Sequence, residues 1–260
     1  MNIGIYVNDE NEHLDIVELI KQEALKKGFV INNDDPEIVF FVGGDGTFLR
    51  AVQHYIDNIS NIEFIGINAG TLGFFYDFDI NQIVTIMDLI EKHSYKLISY
   101  PLLEGNINYI NDQERIFAVN EIRIENPFHT LVSDVIINDE FLETFRGNGL
   151  VISSPLGSSA YNKSLGGSVI SPELEVLELT EIASIQNSVY HSLGSSLILS
   201  GDSTILLKGP FKHVVVGYDH LTSSNQEIVE IWLSTSSKRI NVIYPNDQSF
   251  IKRLNKSFIR

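Results

Sequence analysis

The stretch EIVFFVGGDGTFLRAV, residues 37–52, decides the fold. Its first six residues are an apolar run typical of a buried parallel strand, and residues 46–56 have the pattern of a helix. Three glycines, Gly43, Gly44 and Gly46, stand between the two, where glycine lets the backbone turn tightly and approach a ligand. The stretch therefore predicts a strand, a glycine loop and a helix, the repeating unit of α/β folds.

The segments on either side of this loop repeat the alternation of strand and helix. Short apolar runs at residues 2–7 and 63–68 predict two more buried strands. Apolar residues at helical spacing predict one helix ending near Gly28 and another over residues 81–92. Because strands and helices alternate through short loops, we expect residues 1–98 to form an N-terminal α/β domain with a parallel sheet.

From about residue 96 onward the pattern is that of β-strands. Segments rich in β-branched and aromatic residues are separated by turn clusters such as Asn-Asp at residues 111–112. We expect residues 99–245 to form a C-terminal antiparallel β domain, in a sandwich or layered arrangement. Residues 246–260 carry apolar side chains at roughly helical spacing, and we expect them to form a helix that packs back on the first domain.

The charge of the chain excludes several classes of partner. Lys and Arg number 18 and Asp and Glu number 34, which gives a formal net charge of −16 at pH 7. Such a chain repels a polynucleotide backbone and an anionic lipid surface, so we expect no nucleic acid and no membrane as partner. A local ring of backbone N–H groups can still bind a small anion, so small-molecule nucleotides remain candidate ligands.

The residue types that are missing narrow the chemistry further. Cysteine is absent, which excludes disulfides, a thiolate nucleophile and cysteine-based metal sites. The seven histidines do not have the H-x-x-x-H or H-x-H spacing of a metal site. The first residues do not resemble a secretory signal, and no apolar run approaches the roughly 18–20 residues of a membrane span. These features predict a soluble, cytoplasmic protein.

The sequence Gly43-Gly44-Asp45-Gly46-Thr47 is the strongest candidate for a functional site. It follows a predicted strand at its carboxyl end, where open α/β sheets bind ligands, and the N–H groups that begin the next helix suit a phosphate. Asp45 in this loop could accept a proton, hold a metal ion or bond a hydroxyl. The alternative is a plain turn in which Asp45 or Thr47 caps the helix, but a cap does not require three glycines.

Two common nucleotide-binding motifs are excluded by spacing. A G-x-G-x-x-G fingerprint through Gly44 and Gly46 would need glycine at position 49, which is Leu49. A P-loop that starts at Gly157 would need glycine at position 162, which is Asn162.

The order of motifs along the chain resembles that of NAD kinases. GGDGT at residues 43–47 is followed by NAGTLGF at residues 68–74, by Asn120 and Glu121, and by GSSAY at residues 157–161. Phosphofructokinases and the diacylglycerol and sphingosine kinases share close forms of GGDGT, whereas the full set covers most of the chain and is specific. The resemblance implies a Rossmann-like, phosphofructokinase-like N-terminal domain and a C-terminal antiparallel β-sandwich. It also implies phosphoryl transfer from ATP, or from polyphosphate in some bacterial members, to the 2′-hydroxyl of the adenosine ribose of NAD.

The resemblance also implies roles for single residues. Asp45 would bind the acceptor ribose and act as the base for its hydroxyl. The phosphate donor would be bound by Gly43, Gly44, Gly46, Thr47 and Arg50. The NAD contacts would come from Asp45, Gly46, Phe74, Asn120, Glu121, Arg146, Asn148, Ser158, Ser159, Ala160, Tyr161, Ser164 and Ala183. Mg²⁺ or another divalent metal would be held through the donor phosphates, with Asp45 as its candidate protein ligand.

Several of these residues have a simpler alternative role. Asn120 and Glu121 could be a solvent-facing polar pair on a strand, and Tyr161 could be a core residue. Arg50 could be a surface position of its helix. The Asp-His pair at residues 219–220, after the predicted strand HVVVGY, resembles the aspartate that follows a late strand in the family, although a lone histidine there is more often structural.

Three features depart from the family pattern. Asn148 lies in a Gly-Asn-Gly sequence where family members usually have Gly-Asp-Gly, so the charge expected near the nicotinamide is lost while an acceptor oxygen is kept. Ser159 replaces the usual threonine and loses a methyl contact. Residues 185–196 lack an arginine that many relatives place there, for which His191 could stand in. These departures concern the donor and nicotinamide contacts and leave the reaction class unchanged.

Two other classes of function share parts of this pattern. A lipid kinase of the diacylglycerol or sphingosine type would use the same loop, but it needs an apolar acceptor groove and leaves Asn120, Glu121 and residues 157–161 without a role. A non-enzymatic dinucleotide sensor on the same fold would be favoured by the loss of Asp45, which is present. The resemblance further implies a homo-oligomer, a tetramer or dimer, for which a β-rich domain offers strand edges.

Overall fold

The computed structural model describes residues 1–9, 11–69, 73–75, 78–223, 226–245 and 249–259. The chain forms two compact units. One unit combines Met1–Tyr100 with Lys238–Arg260, and the other is Pro101–Ser237. Within the described ranges, no helix is long and apolar enough to cross a membrane.

Helices and strands alternate in the first part of the chain, and strands dominate the rest. In chain order the elements are β1 (Asn2–Tyr6), α1 (Leu14–Lys26), β2 (Val30–Ile31), β3 (Ile38–Val42), α2 (Asp45–His54), β4 (Glu63–Asn68), β5 (Phe78–Asp79), α3 (Ile83–Glu91), β6 (Lys96–Tyr109), β7 (Gln113–Ala118), β8 (Glu121–Glu125), β9 (Leu131–Ile137), β10 (Glu140–Gly147), β11 (Gly149–Ser153), α4 (Tyr161–Ser164), β12 (Val176–Ile182), β13 (Leu197–Ser200), β14 (Ile205–Phe211), β15 (Val215–Tyr218), β16 (Leu221–Thr222), β17 (Ile228–Tyr244) and α5 (Phe250–Phe258).

The first unit contains the parallel sheet that the sequence predicts. Its strands lie in the order β2, β1, β3 and β4, and the end of β17 and the short β5 also pair in parallel with β4. Ile5 of β1 is aligned with Phe40 of β3, which is aligned with Ile65 of β4. All five residues of β3 are buried, as expected for a strand covered on both faces. The prediction of an α/β region at the N-terminal end is confirmed.

The helices of this unit bury one apolar face each. Ile16 and Ile20 of α1, and Ile86 and Ile90 of α3, join one core cluster with the strands. Gly28 follows α1 with φ 73°, the left-handed conformation that favours glycine after a helix. The predicted helix over residues 81–92 is α3 preceded by a tighter turn, Ile80–Gln82, in which the Asp79 and Gln82 side chains bond each other's backbone N–H groups.

The second unit is built from two groups of antiparallel strands. One sheet has the order β13, β12, β11, β8, β15 and β16, and each neighbouring pair is antiparallel. The other group comprises β10, β9, β14 and the first part of β17, again antiparallel, and β6 pairs with β7. The prediction of a C-terminal sheet domain is confirmed.

One apolar core lies between the strands of this second unit. Phe145 of β10, Val135 of β9 and Leu207 of β14 contribute to it from one group, and Ile152 of β11 and Ile124 of β8 from the other. Burial alternates along β9, where every second residue from Leu131 onward points inward over the first part of the strand. The alternation of side chains along this strand therefore decides which of them enter the core.

The core position Phe145 gives a test of this packing. Phe145 has no exposed surface, whereas Phe141 on the same strand is 63% exposed. We expect Phe145→Ala to lower the free energy of unfolding by about 3–5 kcal/mol, because it removes a buried ring and leaves a cavity. Phe141→Ala, the matched control, should change it by no more than about 0.5 kcal/mol. Urea unfolding followed by circular dichroism measures both, and equal effects of the two substitutions would contradict the assignment of the core.

Candidate functional site

The glycine loop takes a conformation that depends on glycine at its first position. Gly43 has φ 144°, and a Cβ atom added there would collide with Oγ1 of Thr47. Gly44 is the N-cap residue of α2, whose first turn begins at Asp45. The loop therefore presents the N-terminal end of α2, with its partial positive charge, at the carboxyl end of β3.

The carboxylate of Asp45 is held by backbone N–H groups. The N–H of Phe74 donates to Oδ1 at 2.8 Å and Oδ2 at 3.0 Å, and the N–H of Phe75 donates to Oδ1 at 3.1 Å. Burial raises the pKa of Asp45, and these two hydrogen-bonded N–H groups offset part of that rise. The structure thus brings together Asp45 and Phe74, which belong to the first two motifs. Residues 70–72 of the second motif lie outside the described residues.

Arg253 supports Phe74 from the C-terminal helix. Its Nη1 donates to the backbone oxygen of Phe74 at 3.4 Å and to the Tyr244 hydroxyl at 3.3 Å. The guanidinium also lies 5.3 Å from the centre of the Phe74 ring and 4.7 Å from that of Tyr244. Phe250, on the same helix as Arg253, also packs against Phe74, with the two ring centres 6.1 Å apart in an edge-to-face arrangement. Sequence reasoning missed this role of Arg253, because helical spacing in the tail does not indicate which strand or loop the helix contacts.

Thr47 and Arg50, which the family resemblance assigns to binding of the phosphate donor, lie on α2. Thr47 is buried, and its Oγ1 accepts a hydrogen bond from Nδ2 of Asn8 at 2.9 Å, which ties the loop to the segment after β1. Arg50 is exposed, and its Nη1 lies 3.5 Å from the position that a Cβ atom would take on Gly46. A positive charge therefore lies against the start of α2, beside the glycine loop.

Asn120 and Glu121, in the second unit, are buried at the start of β8. Their residues are 9% and 5% exposed, so the alternative of a solvent-facing pair is wrong. The carboxylate of Asp219 accepts hydrogen bonds from the backbone N–H groups of Val119 and Asn120, both at 2.8 Å. The backbone N–H of Asp219 donates to the backbone oxygen of Glu121 at 3.2 Å. Asp219 is thus a positioning residue for this pair.

The buried pair carries hydrogen-bonding capacity that the described protein groups do not use. Oδ1 of Asn120 and Oε2 of Glu121 are buried, and neither has a hydrogen-bond partner in the described part of the chain. Burial, together with the charges of Asp219 and Glu125, raises the pKa of Glu121 to about 7, against the opposing effect of Arg123. Leaving such atoms unpaired is costly, so they are candidates for contacts with a polar ligand.

The GSSAY motif lies directly against Asn120. A Cβ atom on Gly157 would collide with the backbone of Asn120, so only glycine allows this approach. The hydroxyl of Ser154 joins the two segments, since it donates to the oxygen of Val119 at 2.6 Å and accepts the N–H of Gly157 at 3.1 Å. The structure therefore brings the third and fourth motifs together.

The remaining residues of this motif differ in their surroundings. Ser158 is fully buried, and its hydroxyl donates to the oxygen of Pro155 at 2.7 Å, so it supports the backbone. Tyr161 is half-buried rather than a core residue, with its hydroxyl 3.5 Å from Oε1 of Glu125 and the Arg123 guanidinium 5.7 Å from its ring centre. Ser159 and Ala160 are half-buried, and Ser164 is exposed.

Arg146, Asn148 and Ala183 form a second group at the turn between β10 and β11. The N–H of Asn148 donates to the oxygen of Ile182 at 2.9 Å, and the oxygen of Arg146 accepts the N–H of Ile185 at 2.7 Å. Ala183 has φ 47° and is exposed, as is Asn148. The guanidinium of Arg146 stacks on a tyrosine of the neighbouring segment, with its Cζ 4.5 Å from the centre of the ring of Tyr190; His191, beside that tyrosine, is exposed.

The two groups in the second unit lie at opposite ends of β11. Ser153, at one end, is aligned with Glu121, and Gly149, at the other, is aligned with Glu125. The rise of a five-residue strand separates these ends by roughly 15 Å. The predicted NAD contacts of this unit are therefore not one cluster, and Tyr161 reaches from the first group toward Glu125.

The pKa of Glu121 generates a prediction about stability. Because the pKa is raised from 4.5 to about 7, the folded state binds a proton that the unfolded state releases, and stability falls as the pH rises between these values. Glu121→Gln removes this titration. We expect the variant to gain up to about 3 kcal/mol relative to the unsubstituted chain between pH 4.5 and pH 8, measured by urea unfolding at both values.

The control for this experiment is the exposed Glu140, where Glu140→Gln should leave the pH dependence unchanged. A Glu121→Gln variant with the same pH dependence as the unsubstituted chain would show that Glu121 titrates normally.

Comparison with known proteins finds that the chain is similar in sequence, along its length, to one family of enzymes. Residues 23–95 match the family "ATP-NAD kinase N-terminal domain", and residues 119–242 match "ATP-NAD kinase C-terminal domain". The chain is 35% identical over 260 residues to an NAD kinase of Leuconostoc citreum, covering 100% of this chain and 98% of that protein. It is 36% identical over 247 residues to NAD kinase 1 of Bacillus anthracis, covering 94% and 93%.

Two solved structures have the same fold. Yeast NADH kinase complexed with NADH has a TM-score of 0.83 at 20% identity, with 98% of this chain and 86% of that chain covered. An NAD kinase from Archaeoglobus fulgidus in complex with ATP has a TM-score of 0.76 at 17% identity, with 98% and 99% covered.

Proposed function

The chain belongs to the NAD kinase family, and we propose that it transfers the terminal phosphoryl group of ATP to the 2′-hydroxyl of the adenosine ribose of NAD, giving NADP and ADP. The observation that carries this proposal is the environment of Asp45. This carboxylate lies at the N-terminal end of a helix, in a loop of glycines, and two backbone N–H groups hold it in one orientation.

Asp45 is the general base in this proposal. A ribose hydroxyl is a weak nucleophile until its proton is removed, and a positioned carboxylate contributes roughly 10²–10⁴ in rate. The proton passes to a carboxylate oxygen of Asp45, the hydroxyl oxygen forms a bond to the terminal phosphorus, and the bond to the leaving ADP breaks. Burial raises the pKa of Asp45, which makes this carboxylate a stronger base than an exposed aspartate.

The donor phosphates are proposed to lie at the N-terminal end of α2. We infer that Gly43, Gly44, Gly46 and Thr47 line these phosphates, because Gly43 packs against Thr47, Asn8 bonds Thr47, and Arg50 adds a positive charge beside Gly46. The reaction transfers a phosphoryl group directly between the substrates without a covalent bond to the protein, so positioning and charge neutralisation are the main requirements. In a chain of net charge −16, backbone N–H groups and a few placed cations supply them.

A divalent metal such as Mg²⁺ fits this donor set. The described residues contain no group of three or more His, Asp or Glu side chains that could hold a metal ion by themselves. Mg²⁺ commonly binds through one or two carboxylates together with substrate phosphates, and Asp45 is the carboxylate available at the loop. When bound, the ion would neutralise charge on the transferring group.

The adenosine part of NAD is proposed to bind at the group around Asn120 and Glu121, whose buried oxygens Oδ1 and Oε2 are acceptors for ribose hydroxyl or amino groups. Tyr161 offers a half-buried ring beside this pair. The proposed NAD contacts also comprise Asp45, Gly46, Phe74, Ser158, Ser159, Ala160, Ser164 and, toward the nicotinamide, Arg146, Asn148 and Ala183.

Three wider properties complete the proposal. We infer that the first unit has the Rossmann-like, phosphofructokinase-like form of the family and the second that of an antiparallel β-sandwich, which the strand orders support. We infer a homo-oligomer, because β13 and β16 end one sheet with unpaired edges within the described chain. We infer a cytoplasmic location, with which a chain that has no cysteine is compatible.

The central test is the formation of NADP from NAD and ATP with Mg²⁺. We expect the purified protein to form NADP, and Asp45→Asn to lower kcat at least ~100-fold, because the variant keeps the shape of the side chain but cannot accept the proton. The KM for NAD should change much less. Enzymatic detection of NADP in initial-rate assays measures both constants.

The matched control is Asp57→Asn, at an exposed aspartate of the same unit, which should retain full activity. Normal turnover of Asp45→Asn would exclude Asp45 as the base. Binding of NAD by the unsubstituted protein without NADP formation would instead favour a dinucleotide sensor.

A further inference from the structure

The C-terminal helix α5 buries an arginine while it exposes an isoleucine. Arg253 is 7% exposed, whereas Ile251, two residues earlier, is 70% exposed. Burial of a cation is costly unless hydrogen bonds or charge partners offset it, so an arginine rarely takes the buried face of a helix that also offers an apolar residue. The orientation of α5 therefore indicates that Arg253 has a function at the place where this helix packs.

Arg253 places its charge on the backbone of Phe74. Its Nη1 donates to the Phe74 oxygen at 3.4 Å and to the Tyr244 hydroxyl at 3.3 Å. Burial and the neighbouring Tyr100 raise the pKa of Tyr244 well above its ordinary value, against the opposing effect of Arg253, so this phenol is neutral. Tyr244 therefore holds the guanidinium without neutralising it, and the cation acts on the carbonyl group of Phe74.

A single peptide group connects Arg253 with Asp45. The backbone oxygen of Phe74 and the N–H of Phe75 belong to the same planar peptide unit. The oxygen accepts a hydrogen bond from Arg253, and the N–H donates to Oδ1 of Asp45 at 3.1 Å. Hydrogen bonds in such a chain polarise one another, so a cation at the oxygen makes the N–H a stronger donor. The charge of Arg253 thus acts on the carboxylate of Asp45 through one peptide.

This effect on Asp45 opposes the effect of its burial. Burial raises the pKa of the carboxyl group, and the N–H groups of Phe75 and Phe74 lower it. A general base must be ionised before it can accept a proton. A stronger N–H donor at Phe75 therefore keeps the buried carboxyl group of Asp45 in the form that can act as a base.

The other charged and titratable groups that the structure describes around this peptide lie on three elements. Arg50 of α2 lies beside Gly46, Tyr244 of β17 bonds Arg253, and the ring of Tyr100 of β6 lies 6.5 Å from that of Tyr244. All three are kept in the variants of Arg253 described below. A change in the titration of Asp45 in those variants is therefore assigned to the substituted arginine.

We propose that Arg253 is a positioning residue for Asp45: from α5 it fixes and polarises the peptide between Phe74 and Phe75, which holds the carboxylate in one orientation and in its ionised form. This inference rests on the proposed function, in which Asp45 accepts the proton of the ribose hydroxyl. It adds a residue outside the motifs of the family resemblance, and it makes the C-terminal helix a part of the reaction site rather than a support of the fold alone.

The first test follows the pH dependence of NADP formation in Arg253→Met and Arg253→Lys. Without the cation the N–H of Phe75 is a weaker donor, so the pKa of Asp45 rises and activity is lost at a higher pH. We expect the acid limb of kcat to move up by about 0.5–1 pH unit in Arg253→Met and the plateau of kcat to fall about 10-fold, with a smaller change in the KM for NAD. Arg253→Lys keeps the charge and should restore the acid limb, which a merely structural role of Arg253 would not shift in either variant.

The second test measures the titration of Asp45 directly, by ¹³C NMR of labelled aspartate carboxyl groups, with the Asp45 signal identified by its loss in Asp45→Asn. We expect the pKa of Asp45 to be higher in Arg253→Met than in the unsubstituted chain, again by about 0.5–1 unit. Arg253→Gln keeps a neutral donor, so it should give a smaller rise in the same direction, and it carries the test if Arg253→Met does not fold.

The matched control is Lys256→Met, which removes the same charge from an exposed position of α5 and should change neither kcat nor the titration of Asp45. Folded neutral variants of Arg253 in which Asp45 titrates as in the unsubstituted chain would overturn the proposal, as would an equal shift in Lys256→Met. Because the NMR titration needs no turnover, a shifted Asp45 in a protein that forms no NADP would contradict the proposed function alone.

Discussion

Hydrogen bonds from two consecutive backbone N–H groups to one aspartate fix the glycine loop of the first unit. Phe74 and Phe75 donate to Asp45, and this joins the start of α2 to the segment that follows β4. The arrangement fixes the carboxylate from behind, so its orientation does not depend on a flexible side chain. Because the phenyl ring of Phe74 is in turn held by Arg253, the C-terminal helix also contributes to the position of this loop.

The second unit also has a carboxylate that accepts hydrogen bonds from two consecutive backbone N–H groups. Asp219 accepts the consecutive N–H groups of Val119 and Asn120, and Gly157 packs against the backbone of Asn120. These contacts bury Asn120 and Glu121 although both are polar, and they leave one side-chain oxygen of each without a partner among the described residues. In both units a carboxylate therefore accepts hydrogen bonds from two consecutive backbone N–H groups of a segment that the family motifs single out. Contacts within the protein therefore order these segments, which is the preorganisation that the proposed binding of substrates requires.

Sequence patterns predict the parts of the structure that depend on residues near one another in the chain. They leave open the parts that depend on residues distant in sequence. Strand β3 and helices α1 and α3 are predictable because apolar periodicity is local, and the glycine loop because Gly43 needs a backbone conformation that other residues avoid. The burial of Glu121 is not predictable, since it depends on Asp219, which is distant in sequence. The role of Arg253 depends on contacts between elements that no local pattern encodes. The roles of single residues toward ATP and NAD come from the family resemblance and stay predictions.

The acidity of the chain changes how its few cations must be used. Arg123, Arg146 and Arg253 each lie over the ring of an aromatic residue, namely Tyr161, Tyr190 and Phe74. An arginine stacked in this way loses less freedom when it binds an anion than one that extends into solvent, because its side chain is already ordered. Arg50 instead lies beside Gly46, where the N-terminal end of α2 adds to its field. A net charge of −16 is thus compatible with two anionic substrates, since the attraction comes from a few placed groups at short range, where screening of the remaining surface charges by salt makes their repulsion weak.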